Sequence, residues 1–205
     1  MSALTRRIAL LATLALLACS RAVVASDSSH VYAYHGWHVD GSQVAGQSQE
    51  AVMAPVQKQI DAIETRGFAQ DILEFMRTVP LHAVAGGAPA HYIDKVKGID
   101  FRVDALDATK PVLLPELLRA FHEQKLKSSE DGLIGKAFQE ARASAAWPAD
   151  AAMMKSPRDF FAATATVYLF GAIDTPPFSP GRVRETQPAY WQWLGEVFDG
   201  FRGCE

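Results

Sequence analysis

Hydrophobic positions along the chain recur mostly at helical spacing. Between residues 47 and 66 non-polar side chains return every three or four positions, which predicts a helix that Pro55 kinks or begins. Further helical patterns cover residues 69–78, 111–126, 134–145, 156–170 and 187–198. Aromatic and β-branched residues predict strands over residues 30–39, 81–84 and 99–106. The pattern therefore predicts an α+β fold, mostly helical, with a small early β-sheet.

The helix predicted over residues 111–126 is non-polar around most of its circumference. A helix of this kind is buried, so we expect it at the centre of the core with the small sheet packed on it. The helix over residues 156–170 has clear end signals. Ser156 is a suitable N-cap, Pro157 suits the first helical position, and Gly171 can end the helix.

Composition and charge are those of a soluble globular protein. The chain has 205 residues, of which 49% are hydrophobic and 21% charged, and its net charge is −3. No Lys/Arg cluster stands out, so a nucleic-acid partner is not expected. Residues 26–205 are enough for one sizeable core and predict a single domain.

The N-terminus predicts an export signal over residues 1–25. Arg6 and Arg7 precede a non-polar run that is too short to span a membrane. Two segments resemble the cleavage site at which such a signal ends. Leu-Leu-Ala-Cys at residues 16–19 resembles a lipobox, which would place a lipid anchor on Cys19, whereas Val-Val-Ala before Ser26 resembles an ordinary cleavage site. The protein is expected to be periplasmic or a membrane-anchored lipoprotein, and otherwise secreted.

Two helical segments resemble zinc-dependent peptidases of the anthrax lethal factor type. Residues 111–122 read Pro-Val-Leu-Leu-Pro-Glu-Leu-Leu-Arg-Ala-Phe-His, and residues 156–171 contain Asp-Phe-Phe-Ala. In that family one helix reads Leu-Leu-His-Glu-x-x-His-Ala-Tyr-His. A later helix begins Glu-Phe-Phe-Ala, and its glutamate is the third zinc ligand. The resemblance implies a zincin-like domain over residues 26–205.

The same resemblance implies that the zinc site is degenerate. Pro115 and Arg119 stand at the positions of the two histidines, Glu116 at the general base and Asp159 at the third ligand. Ala152 stands where the family tends to place a tyrosine that supports the transition state. Proline has no side-chain donor atom, and arginine keeps its positive charge. Zinc is the cofactor of the family, but no cofactor or metal is expected here.

Each of these residues also has a purely structural interpretation. Asp159 follows Ser156 by three residues, as in a capping box. Glu116 lies near a helix N-terminus, where the dipole favours an acid. A lone histidine such as His122 more often forms a hydrogen bond with a neighbouring group than binds a metal ion. The histidines at positions 30, 35 and 38 are interpreted as surface residues.

Electrostatics predicts a specific contact for Arg119. Glu116 and Asp159 would be uncompensated carboxylates in a buried site without a metal. Arg119 lies three residues after Glu116, on the same helix face. We therefore predict that its guanidinium pairs with Asp159, Glu116 or both.

Three functions remain open on the sequence. The first is an exported, non-catalytic zincin-like protein that binds a peptide or protein along the ancestral substrate groove. The second is an active hydrolase with unusual ligands such as Asp159, His122 and an N-terminal histidine. The third is a metal-free enzyme with Glu116 or Asp159 as acid or base. The sequence does not predict an oligomeric state.

Overall fold

The computed structural model describes residues 30–199, where it contains seven α-helices and five strands. The predicted signal peptide and Cys19 lie outside the described residues. The mixed fold with more helix than strand and a small early sheet is as predicted. The helices are α1 (Gln49–Glu64), α2 (Gln70–Thr78), α3 (Leu114–Lys125), α4 (Ser128–Ala143), α5 (Pro157–Phe170), α6 (Pro180–Thr186) and α7 (Pro188–Phe198). The strands are β1 (Val31–Tyr34), β2 (Trp37–Asp40), β3 (Leu81–Val84), β4 (Ala90–Ile93) and β5 (Gly98–Arg102).

The five strands form one mixed sheet in the order β1-β2-β3-β5-β4. The pairs β2–β3 and β3–β5 are parallel, and β1 and β4 are antiparallel to their neighbours. Val39 pairs with Leu81, and Leu81 pairs with Ile99. These three side chains are buried at the middle of the sheet. The strand β4 is an edge strand, and its open side faces α3.

The single strand predicted over residues 30–39 is wrong, because this segment is a hairpin. The chain reverses at His35 and Gly36, which have φ angles of 49° and 82°. Positive φ at both central positions matches the right-handed twist of paired strands. The strand β4 and the helix α6 were not predicted.

The end signals of α5 operate as predicted. Ser156 Oγ accepts a hydrogen bond from Asp159 N at 3.1 Å, and Pro157 is the first helical residue. Gly171 ends the helix with a φ of 104°, which a residue with a side chain rarely adopts.

The helix α3 is buried at the centre of the core, between α5 and the sheet. Leu117 and Leu118 are fully buried on α3, as are Phe160 and Phe161 on α5. This helix pair packs more extensively than any other pair in residues 30–199. None of the described helices is long and non-polar enough to cross a membrane.

Candidate functional site

Three charged residues meet between α3 and α5. Arg119 Nε donates to Asp159 Oδ1 at 3.0 Å, and Arg119 Nη1 donates to Glu116 Oε1. We call these three residues the buried ion cluster. The arrangement is the one that the charge argument predicts, because a single guanidinium serves both carboxylates.

Glu116 lies at the back of the buried ion cluster, only 8% exposed. Its Oε1 accepts from Arg119, and its Oε2 accepts from Tyr92 N of β4 at 2.9 Å. It also lies in the first turn of α3, where the helix dipole favours a negative charge. Glu116 Oε2 thus holds α3 against the sheet, and Oε1 holds the Arg119 guanidinium of the same helix.

Asp159 joins the buried ion cluster to the start of α5. Its backbone N–H donates to Ser156 Oγ, and the Ser156 hydroxyl donates to Asp159 Oδ2 at 2.7 Å. Its other oxygen accepts from Arg119. The helix cap and the ion pair together account for an aspartate at this position.

Arg119 keeps its charge although it is largely buried. Burial opposes the charge, but the attraction and hydrogen bonds of Glu116 and Asp159 outweigh it and raise the pKa of the guanidinium. Its side chain remains 23% exposed. The remaining nitrogen, Nη2, makes no hydrogen bond to any residue between 30 and 199, and therefore can donate to a molecule beside it.

A cavity of about 530 Å³ opens in front of the buried ion cluster. Four positions identified from the sequence line it, namely Pro115, Arg119, Ala152 and Asp159. Glu116 does not line it. Most of the other lining residues are non-polar, and α5 with the loop after it contributes more of them than any other part of the chain. The cavity therefore combines a non-polar wall with one polar patch.

Two loops form the rim of this cavity. Lys110 Nζ lies 2.9 Å from Asp174 Oδ2 across the opening, and both side chains are more than half exposed. The loop that carries Lys110 is held by Gln59, which is buried. The Gln59 amide donates to the carbonyls of Asp107 and Lys110 and accepts from Val112 N and Leu113 N. Sequence patterns did not identify Gln59, since a polar residue on the buried face of α1 carries no signal of its partners.

The residues of this site do not fit a zinc ion. Pro115 offers no ligand atom, and the Arg119 guanidinium lies against the carboxylate that would have to bind the metal. In residues 30–199 no group of three or more His, Cys, Asp or Glu side chains is arranged to hold a metal ion.

His122 lies away from the buried ion cluster. Its Nε2 is 3.2 Å from Asp131 Oδ1, in an orientation that does not form a hydrogen bond, and its ring packs on Phe161. Burial lowers the pKa of His122, and Asp131 opposes this only in part. On the β1–β2 hairpin, His35 and His38 are exposed, as predicted for surface histidines.

No protein-family model matches the chain, and no curated protein or solved structure matches it either. The comparisons thus add no family to the resemblance that the two helices carry.

Proposed function

We propose that this protein is an exported, non-catalytic zincin-like protein that binds a peptide or protein segment in the cavity beside α3 and α5. The observation that carries the proposal is the position of Arg119. Its guanidinium lies on the cavity wall and neutralises Asp159 and Glu116. The resemblance implies zinc ligands at positions 119 and 159 and the general base at position 116. The export and the possible lipid anchor at Cys19 rest on residues 1–25 alone.

The lining of the cavity favours a segment of low net charge. Lys110 and Arg119 contribute two positive charges, and Asp159 and Asp174 contribute two negative ones. A non-polar side chain fits the wall, and a backbone carbonyl of the bound segment is a suitable acceptor for Arg119 Nη2. Ligand pockets commonly combine a non-polar lining with a few such polar groups.

Metal-free acid/base catalysis by Glu116 has less support. A general base has to reach the proton that it removes. Both oxygens of Glu116 already accept hydrogen bonds, and its side chain does not line the cavity. The hydrolase with unusual ligands is likewise less supported, because His122 is turned towards Asp131 on α4 rather than towards Asp159.

Peptide display followed by a cavity-filling variant tests the proposal. Peptides would be selected from a random library on the purified protein, and their affinities measured by calorimetry. Ala152 is exposed and lines the cavity, so Ala152→Trp should weaken the selected peptides about tenfold or more by occupying the space. Ala54→Trp, at an exposed position on α1 away from the cavity, is the matched control and should bind normally. Equal affinity for all three proteins would reject this cavity as the binding site.

Elemental analysis tests the non-catalytic part separately. We expect less than one zinc per ten chains, about the level of adventitious metal, because Pro115 and Arg119 supply no ligand. Near-stoichiometric zinc that survives dialysis would overturn this part of the proposal.

A further inference from the structure

A second cavity, of about 660 Å³, opens between the end of α4 and the start of α6. Two arginines line it, Arg142 from α4 and Arg182 from α6, together with Trp147 from the connecting loop. No carboxylate side chain is among its lining residues. In a chain with a net charge of −3, this is a local concentration of positive charge.

The two arginines have no acidic partner among residues 30–199. Within residues 30–199 neither Arg142 nor Arg182 forms an ion pair, although most of the other arginines there do. The Arg182 side chain donates a long hydrogen bond of 3.4 Å from Nη2 to the carbonyl of Ala146. Two guanidinium groups beside one cavity therefore keep nearly all of their donors available.

Trp147 adds a third donor. The residue is 5% exposed, and its indole Nε1 is buried without a hydrogen-bond partner among the described residues. A buried N–H that has no acceptor destabilises the protein, so such a group calls for a specific explanation. Trp147 lines the cavity, so an acceptor that a bound molecule presents there would satisfy this N–H after a small shift of the atoms that cover it.

An aromatic layer holds these donors in place. The Arg142 guanidinium lies over the Phe138 ring, 5.7 Å from its centroid. Phe138 packs on Phe160 at 5.9 Å, and Phe160 packs on Trp147 at 6.1 Å between ring centroids. Phe160 is fully buried, so Arg142 and Trp147 rest on one rigid base. Donors whose positions are set before binding lose less entropy when a ligand arrives.

We propose that this second cavity binds an oxyanion, a carboxylate or a phosphate group, through Arg142 and Arg182 with the Trp147 indole N–H as third donor. Guanidinium groups are suited to both anions, because they present paired N–H donors to two oxygens. The site is separate from the cavity beside Arg119, and the proposal does not depend on what that cavity binds.

Nuclear magnetic resonance of the indole N–H groups tests the proposal. The ¹⁵N-labelled protein would be titrated with sodium phosphate and, separately, with sodium acetate at constant ionic strength. The variant Trp147→Phe identifies the Trp147 signal. We expect that signal to move and to saturate with at least one anion. Tighter binding of phosphate would indicate a phosphorylated ligand, and tighter binding of acetate a carboxylate ligand.

Charge variants show whether the arginines hold the anion. The double variant Arg142→Gln with Arg182→Gln should weaken binding about tenfold or more, because it removes two charge-assisted contacts. Each single variant should weaken it severalfold, which keeps the test valid if the double variant unfolds. Arg184→Gln is the control, since Arg184 is exposed on α6 but does not line the cavity. Shifts that do not saturate with either anion, or unchanged affinity in the arginine variants, would overturn the proposal.

Discussion

The helix α3 carries ionic groups at both of its ends, and the two sets have different surroundings. Near its start, the buried ion cluster is mostly withdrawn from solvent. Near its end, Glu123 belongs to a surface ion network with Lys97, Arg158 and Asp94. In that network Arg158 Nη1 lies 2.7 Å from Asp94 Oδ1, and the Asp94 side chain is 56% exposed.

Similar contact distances do not imply similar energies. Water already solvates the members of the surface ion network, so pairing them adds little to the free energy of unfolding. The members of the buried ion cluster have given up most of that solvation, so the loss of one member leaves a largely buried charge without its ionic partner. Four variants or conditions test this contrast, beginning with the largest effect.

Arg119→Ala should lower the free energy of unfolding by about 3 kcal/mol, the lower end of the cost of breaking a buried pair. The lower end applies because the arginine side chain is still 23% exposed. Urea denaturation followed by circular dichroism measures this change. The control is the triple variant Arg119→Met, Glu116→Gln and Asp159→Asn, which removes all three charges together. It should recover most of the loss, since neutral groups require no ionic partner. A cost for Arg119→Ala below about 1 kcal/mol would show that solvent compensates the carboxylates.

Ser156→Ala should lower the free energy of unfolding by about 1 to 2 kcal/mol, because it removes the N-cap of α5 and a hydrogen bond to Asp159. The matched control is Ser48→Ala, which removes only the N-cap of α1. Thermal and urea unfolding of both variants give the difference. If the Ser156 variant is no less stable than the Ser48 variant, the hydrogen bond from Ser156 to Asp159 adds nothing to the stability of the buried ion cluster.

Arg158→Ala should lower the free energy of unfolding by less than about 1 kcal/mol, because it disrupts only the surface ion network. The change should shrink further in about 1 M salt, where the screening length falls to about 3 Å. Repeating the Arg119→Ala measurement at both salt concentrations provides the comparison. An Arg158 effect as large and as salt-independent as that of Arg119 would remove the distinction between the two sets.

The smallest expected effect is a pH dependence that originates at His122. Burial lowers its pKa in the folded protein, so the unfolded chain binds the proton more readily than the folded one. The free energy of unfolding should therefore fall as the pH drops through the ordinary histidine value of 6.5 towards the lowered one. His122→Gln should flatten this fall between about pH 7 and pH 5.5, a range above the titration of most carboxylates. His91→Gln, which changes an exposed histidine, is the matched control.

The sequence predicted those elements whose ends carry their own chemical signals. Ser156, Pro157 and Gly171 mark the ends of α5 because capping depends on residues next to each other in the chain. The hairpin at His35 and Gly36 was missed because its turn lacks the usual Asn-Gly or Asp-Gly pair. The strand β4 was missed because its pairing with β5 is not encoded locally.

The part of the candidate site that could be predicted is the ion pairing, because it depends on charge and on helical spacing. Glu116 and Arg119 are neighbours on one helix face, so their pairing follows from the sequence once burial is assumed. The shape of the cavity in front of Arg119 could not be predicted, because part of its wall comes from loops whose positions depend on remote contacts such as those of Gln59. That the Trp147 indole N–H has no partner among the described residues could not be predicted either, since the absence of a partner is a property of the folded structure.

The hydrogen bond from Tyr92 N to Glu116 has a consequence for self-association. An exposed edge strand with free N–H groups is a template on which a second copy of a protein can aggregate. On β4, Glu116 takes the outward N–H of Tyr92, and α3 packs along the same side. The carboxylate that holds Arg119 in place therefore also protects this edge, and a variant that releases Glu116 would expose the protein to strand-by-strand aggregation.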